Sequence, residues 1–203
     1  MLDNIFRNLK EILLLPLAKR AGGMIHPNVI TILSFAAGMV SVGCITQKSF
    51  TSALGFWILN RVLDGLDGSA ARASGRVSDF GAYLDIVLDF IIYSAIPVSL
   101  VIVYNSPENY LMLSILLSSY YVNAVSWSYL SAILEKRNLG AASNSEMTSV
   151  TMPSGVADGT MTIIFYTLFL IFPGYIKWLF MIFTILVVVS IIQRMVWAFL
   201  KIR

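Results

Sequence analysis

Six stretches of this 203-residue chain are apolar over roughly the length a helix needs to cross a bilayer, which is about 20 residues. They run over about 28–46, 50–73, 78–104, 110–133, 155–173 and 176–200. Inside lipid no water satisfies an unpaired backbone N–H or C=O, so segments of this kind must be helical. The sequence therefore predicts an all-α integral membrane protein with six transmembrane helices. The connections are short, at Gln47-Lys48, 74–77, 105–109 and Pro173-Gly174, and one longer polar loop runs from Glu135 to about Thr151. Charged residues make up 12% of the chain, about half the share in an ordinary soluble domain. The net charge of +3 lies at helix ends and loops and forms no nucleic-acid surface. The single cysteine, Cys44, excludes an intramolecular disulfide. No internal repeat is visible, and the N-terminus lacks the apolar core and small-residue cleavage site of a signal peptide.

The first twenty residues read differently. Leu2, Ile5, Phe6, Leu9, Ile12, Leu13, Leu14, Pro16 and Leu17 recur at near-helical spacing, with Asp3, Arg7, Lys10 and Glu11 elsewhere on the wheel. This pattern predicts an amphipathic helix over 1–20 lying in the membrane interface, followed by one membrane domain over 21–203. Lysine and arginine counts set the orientation. Ten of them (Arg7, Lys10, Lys19, Arg20, Arg72, Arg76, Lys136, Arg137, Lys201 and Arg203) fall on one side, against Lys48 and Lys177 on the other. The ten-residue side is expected to be cytoplasmic, with both termini on it.

Against that apolar background, four carboxylates stand out: Asp64, Asp67, Asp85 and Asp89, all within 26 residues. Ionisable groups at membrane depth are costly and mark functional sites by default. Asp64 and Asp67 are spaced i, i+3 and Asp85 and Asp89 i, i+4, so each pair shares one helix face. Two antiparallel helices joined by a short turn can set the pairs opposite each other. Four like charges so placed repel unless cations sit among them, and carboxylate oxygens suit Mg²⁺ or Mn²⁺. A pair of metals about 4 Å apart, stabilising both attacking and leaving oxygens of an in-line displacement, fits this donor set. Gly65, Gly68 and Gly81 clear space for a ligand to approach the backbone, or for close helix packing. Arg72 suits a diphosphate. The cluster lies towards the side expected to be cytoplasmic.

The residues Asp64-x2-Asp67-Gly68-x2-Ala71-Arg72-x8-Gly81-x3-Asp85-x3-Asp89 match, at all fixed positions, the signature of the CDP-alcohol phosphatidyltransferases, and the chain resembles that family over most of its length. Pro27-Asn28 and Thr31 also resemble the family's entry to its first membrane helix. The resemblance implies a six-helix membrane homodimer with a polar cavity open to the cytoplasm. It implies transfer of a phosphatidyl-type group from CDP-diacylglycerol, or a similar CDP-linked lipid, to a small alcohol, with release of CMP. It assigns Asp64, Asp67 and Asp85 to two Mg²⁺ or Mn²⁺ ions, and Asp89 to the second metal and to general-base catalysis on the acceptor. Asn28, Thr31, Gly68, Ala71, Arg72 and Gly81 would form the CDP site.

The acceptor is harder to read. Relatives that use phosphorylated acceptors often carry Arg or Lys directly after the fourth aspartate, where this chain has Phe90. Phe90 and Tyr93 instead suit an uncharged or zwitterionic alcohol such as serine, with Arg61 and Arg137 left as other sources of positive charge. Asn123, in the fourth segment, and Asp158, between glycines at the start of the fifth, are further acceptor-side candidates. Interhelical hydrogen bonding for Asn123, and compensation of the helix N-terminal charge for Asp158, are the alternatives. Asp79 reads as a helix cap, and His26 as an interfacial residue. Two other functions remain open: a phosphotransferase using a soluble CDP-amino-alcohol donor, and a cation transporter. The transporter would spread its acids across the membrane depth.

Overall fold

The computed structural model describes residues 16–18, 20, 22–139 and 155–202, and all regular structure among them is helical. Six long helices follow in order: α1 (Pro27–Thr46), α2 (Phe50–Ala73), α3 (Asp79–Val103), α4 (Pro107–Lys136), α5 (Gly159–Ile171) and α6 (Ile176–Ile202), with a 3₁₀ turn at Pro173–Tyr175 before the last. They coincide with the six apolar stretches to within a few residues. Most of the predicted interfacial helix over 1–20 lies outside the described residues, as does the polar loop over 140–154.

Three of the helices are long and apolar enough to cross a membrane: α1, α3, and α6 with its 3₁₀ lead-in. This makes the chain an integral membrane protein. The other three differ for physical reasons. α2 carries Asn60, Arg61, Asp64, Asp67 and Arg72 along its length, and α4 is rich in serine, tyrosine and asparagine. α5 has 13 residues and so spans only about 20 Å, short of a hydrocarbon core about 30 Å thick.

Helix ends are set by local chemistry. Pro27 and Pro107 occupy the first turns of α1 and α4, where a missing N–H costs nothing, and His26 and Ser106 accept from the second or third backbone N–H. α3 begins with Ser78, whose Oγ accepts from Gly81 N at 3.1 Å, and Asp79 is the first helical residue. The cap expected at Asp79 is therefore one residue earlier, on a hydroxyl. Lys48, Gly75 and Asn138 sit two residues past α1, α2 and α4 with φ near +60°, the left-handed turn that closes a helix C-terminus.

The chain divides into two compact units, one holding α1, α2, α3 and Tyr166–Gly174, the other α4, residues 159–165 and α6. In the first, α1 and α2 meet along small and hydroxyl residues. Ser41 Oγ donates to Ala53 O and Ser34 Oγ to Asn60 O, both at 2.8 Å, and Asn60 Nδ2 returns to Ser34 O at 2.9 Å. Such bonds hold helices together where lipid removes the hydrophobic drive for association. At Gly38 a Cβ would lie 2.6 Å from Ile92 Cδ1 and 3.2 Å from Asn60 Nδ2, so α1 approaches both site-bearing helices at a position only glycine fits.

Pro97 lies within α3 and has no N–H to give the carbonyl of Tyr93 one turn earlier. The hydroxyl of Tyr166 donates to that carbonyl instead. Tyr166 also stacks on Trp57 at 5.4 Å, and Trp57 Nε1 donates to Thr167 Oγ1 at 3.1 Å. An aromatic cluster of the buried Trp57 and Tyr166 with the half-buried Tyr93 thus backs the acidic helices. In the second unit α4 packs on α6, with Phe165 stacked on Phe183 at 4.5 Å and the ring of Tyr120 edge-on to Phe183.

Candidate active site

α2 and α3 are joined by a short turn, and both begin or end their acidic stretch there. As a result Asp64, Asp85 and Asp89 converge, with one carboxylate oxygen from each lying within 4.8 Å of the others. All three are half-buried. Asp67 is outside that triad, one turn along α2 from Asp64, and is only 5% exposed. Its Oδ1 accepts from Gly68 N at 2.5 Å, while its buried Oδ2 has no hydrogen-bond partner among the described residues. A buried carboxylate oxygen without a partner is expensive. Three converging carboxylates and an orphaned fourth, all oxygen donors, fit a hard divalent cation.

The residue that sequence reasoning undervalued is Arg61. It is 8% exposed, one turn before Asp64, and its guanidinium grips Asp89 in a fork. Nη1 reaches Asp89 Oδ2 at 3.0 Å and Nη2 reaches Asp89 Oδ1 at 2.5 Å. Nη1 also donates to Tyr93 OH at 2.7 Å, and that hydroxyl donates to Asp89 Oδ2 at 2.9 Å. Nε donates to Asn60 Oδ1 at 2.7 Å. Asp64 Oδ2 is 3.7 Å from Nη1. The guanidinium carbon lies 4.9 Å from the ring centre of Trp57 and 5.2 Å from that of Tyr93, within cation–π range. Arg61 is thus committed to Asp89 and to this shell. The available signal was an arginine in an apolar helix one turn from an acid. The identity of its partner, on another helix, was not visible in spacing.

The expected nucleotide-side residues meet in pairs. A Cβ on Gly81 would sit 3.1 Å from Asn28 Oδ1, so the start of α3 lies against the start of α1. A Cβ on Gly68 would sit 3.4 Å from the Arg72 guanidinium, and Arg72 Nη2 donates to Ser69 Oγ at 3.3 Å. Thr31 is buried and donates to Pro27 O, and Ala71 is half-buried. Phe90 is 39% exposed, with its ring 6.5 Å from that of Tyr93 at a steep angle.

A profile of the CDP-alcohol phosphatidyltransferases matches residues 24–192. The chain belongs to the CDP-alcohol phosphatidyltransferase family. It is similar to the inner membrane protein YnjF of Escherichia coli, with 30% identity over 152 residues, 74% of this chain and 72% of that protein. It is also similar to the CDP-diacylglycerol–serine O-phosphatidyltransferase of Helicobacter pylori, 33% identical over 73 residues, which cover 36% of this chain and 31% of that one. The phosphatidylinositol phosphate synthase of Mycobacterium tuberculosis shares the fold at 20% identity. Its structure with CDP-DAG bound aligns with a TM-score of 0.67 over 90% of this chain and 91% of that one. Its complex with manganese and citrate aligns with a TM-score of 0.68.

In this phosphatidyltransferase the two candidates of the second unit have structural partners. Asp158 Oδ1 accepts from Met161 N at 3.0 Å and caps α5, and Asn123 Oδ1 accepts from Arg194 Nη1 at 2.9 Å across α4 and α6. These contacts match the capping and interhelical alternatives for the two residues.

Proposed function

We propose that this enzyme moves a phosphatidyl group from CDP-diacylglycerol, or an ether-lipid analogue, to an unphosphorylated alcohol such as serine. The acceptor oxygen would bond to the lipid-bearing phosphorus, the bond from that phosphorus to CMP would break, and the hydroxyl proton would pass to Asp89. Asp64, Asp67 and Asp85 would hold Mg²⁺ or Mn²⁺, which when bound neutralises diphosphate charge and makes CMP a better leaving group. Asn28, Thr31, Gly68, Ala71 and Gly81 would shape the CDP site, with Arg72 on the diphosphate. Phe90 and Tyr93 would wall the acceptor. We infer further that the chain crosses the bilayer six times, the fifth crossing being made by the short α5 together with its flanking residues over 155–173, that the termini and cluster face the cytoplasm, and that the enzyme works as a homodimer.

One observation carries the choice of acceptor. The position after Asp89 is the half-exposed Phe90, and the cation beside Asp89, Arg61, already spends four of its five N–H groups on Asp89, Tyr93 and Asn60. A phosphorylated acceptor would find little cationic donor capacity there. The name of the Helicobacter pylori relative is in line with serine. The fold shared with a phosphatidylinositol phosphate synthase keeps a phosphorylated acceptor as the second reading.

The test is CMP release by the purified chain from CDP-diacylglycerol, with Mg²⁺ or Mn²⁺ and a panel of alcohols. Release with serine is expected. Release only with glycerol phosphate or inositol phosphate would replace the first reading with the second. Added EDTA should stop turnover and excess Mg²⁺ or Mn²⁺ restore it; undiminished activity in EDTA would remove the metal from the mechanism. Phe90→Arg places a cation at the acceptor wall and should lower kcat/KM for serine roughly tenfold. An unchanged value would put Phe90 outside the acceptor site.

A further inference from the structure

We propose that Tyr166 and Thr167, neighbours on α5 and outside the acidic motif, are positioning residues that fix the spacing of the two helices carrying Asp64, Asp67, Asp85 and Asp89. The inference rests on the metal-dependent reading above and adds the residues that keep its donors in register.

Successive residues on a helix point about 100° apart, so two neighbours can address two different partners. In the stretch of α5 that belongs to the first unit, Tyr166 turns to α3 and Thr167 to α2. The Tyr166 hydroxyl donates to Tyr93 O, the carbonyl that Pro97 leaves without its helical donor. The Tyr166 ring meets that of Tyr93 edge-on at 5.4 Å. Thr167 Oγ1 accepts from Trp57 Nε1 at 3.1 Å, and the Trp57 ring stacks on Tyr166 at 5.4 Å. Tyr166 and Trp57 are fully buried, so neither the phenol nor the indole has water to turn to instead.

Both bonds fall at one level of the site helices, where the rings of Trp57 and Tyr93 lie 6.5 Å apart. Tyr93 is one turn beyond Asp89, and Trp57 two turns before Asp64. Near the same level α1 approaches both helices at Gly38, against Asn60 and Ile92. Further along, oxygens of Asp64 from α2 and of Asp85 and Asp89 from α3 converge to within 4.8 Å. A Mg²⁺–oxygen bond is about 2.1 Å long and the ion demands near-ideal geometry, so a small slip of one helix past the other pulls donors out of reach. α3 is where such a slip starts most easily, because its hydrogen-bond ladder is interrupted at Pro97. Tyr166 closes that gap from α5, and Thr167 ties the same helix to α2.

The test uses the full-length chain in detergent and two readouts. One is kcat for CMP release from CDP-diacylglycerol at saturating Mn²⁺, with the alcohol that the panel above identifies. The other is Mn²⁺ affinity, from free Mn²⁺ measured by electron paramagnetic resonance. Tyr166→Phe keeps the ring and removes the hydroxyl. It should lower kcat and Mn²⁺ affinity about tenfold each, less than the roughly 100-fold that a 1 Å misplacement can cost. Pro97→Ala returns an N–H to the Tyr93 carbonyl, so adding Tyr166→Phe in that background should change either readout by less than about twofold. Thr167→Val breaks the tie to α2 and should weaken both readouts with no relief from Pro97→Ala. A purely structural Tyr166 would lower the unfolding temperature on substitution but leave kcat and Mn²⁺ affinity of the folded variant unmoved, which would overturn the proposal. Equal losses from Tyr166→Phe with and without Pro97 would also overturn it. If Tyr166→Phe does not fold, Thr167→Val decides by the same two readouts. A wild-type chain that neither binds Mn²⁺ nor releases CMP would overturn the metal-dependent reading and the proposal with it, a result distinct from an unmoved variant.

Discussion

Asp89→Asn should lower CMP release about 10³-fold, the middle of the range for loss of a general base. The amide is nearly isosteric, so the volume beside Tyr93 is unchanged, but it offers one acceptor oxygen to a guanidinium fork that now holds two. It also offers no basic lone pair to an acceptor hydroxyl. Arg61 would keep Asp64 as an ionic neighbour at 3.7 Å, which limits the cost to folding. The informative comparison is between turnover and binding. The variant should retain its size-exclusion profile, its affinity for the CDP-linked donor and its Mn²⁺, because Asp64, Asp67 and Asp85 are untouched. Turnover surviving in a folded variant would exclude Asp89 as the base. Loss of Mn²⁺ together with turnover would instead make Asp89 a metal ligand.

Trp57→Ala should be the most damaging substitution outside the acidic residues. Trp57 is fully buried, stacked on Tyr166, bonded to Thr167 and covered by the Arg61 guanidinium. Phe or Trp to Ala in a packed core costs about 3–5 kcal/mol. In a membrane protein the part due to leaving water shrinks, since lipid is as apolar as the core, but the lost packing and the emptied cavity remain. We expect about 3 kcal/mol, read as a fall in thermal unfolding temperature in detergent. Activity should fall as well, because one of the two rings flanking Arg61 disappears. Trp57→Phe keeps a ring but loses the bond to Thr167, about 1 kcal/mol, and part of the packed volume, so its cost should fall between that of the bond alone and that of the alanine. An alanine variant as stable as the wild type would mean that the cluster does not brace α2.

The helices and the acidic motif were legible because both depend on spacing within one segment. Apolar length marked all six helices, and the i, i+3 and i, i+4 spacings marked the aspartate faces. What escaped depended on contacts between segments. Spacing placed four carboxylates together, and packing sorts them: among the described residues Asp64, Asp85 and Asp89 converge to within 4.8 Å, while Asp67 lies one turn along α2 in a more buried position. Arg61 looked like a spare cation for a phosphate, and its partner on α3 appears only once the helices pack. Asp79 and Asp158 show that a short polar residue near a helix start is ambiguous. The first yields its cap to Ser78, and the second takes a cap that sequence alone weighed equally against a binding role.

The link between Pro97 and Tyr166 has a consequence for how this chain can change over time. The proline frees a carbonyl on Tyr93, the residue that also touches Asp89, and the hydroxyl of Tyr166 fills the gap. The proline depends on the tyrosine, but the tyrosine does not depend on the proline. A phenylalanine at 166 strands the carbonyl, while a residue with an N–H at 97 restores the helical bond and still leaves the carbonyl a second lone pair for the tyrosine hydroxyl. Loss of the tyrosine is therefore tolerated best after loss of the proline. The order of change at two sites on different helices is fixed by one carbonyl, and a lineage that drops the proline has lost one reason to keep the tyrosine.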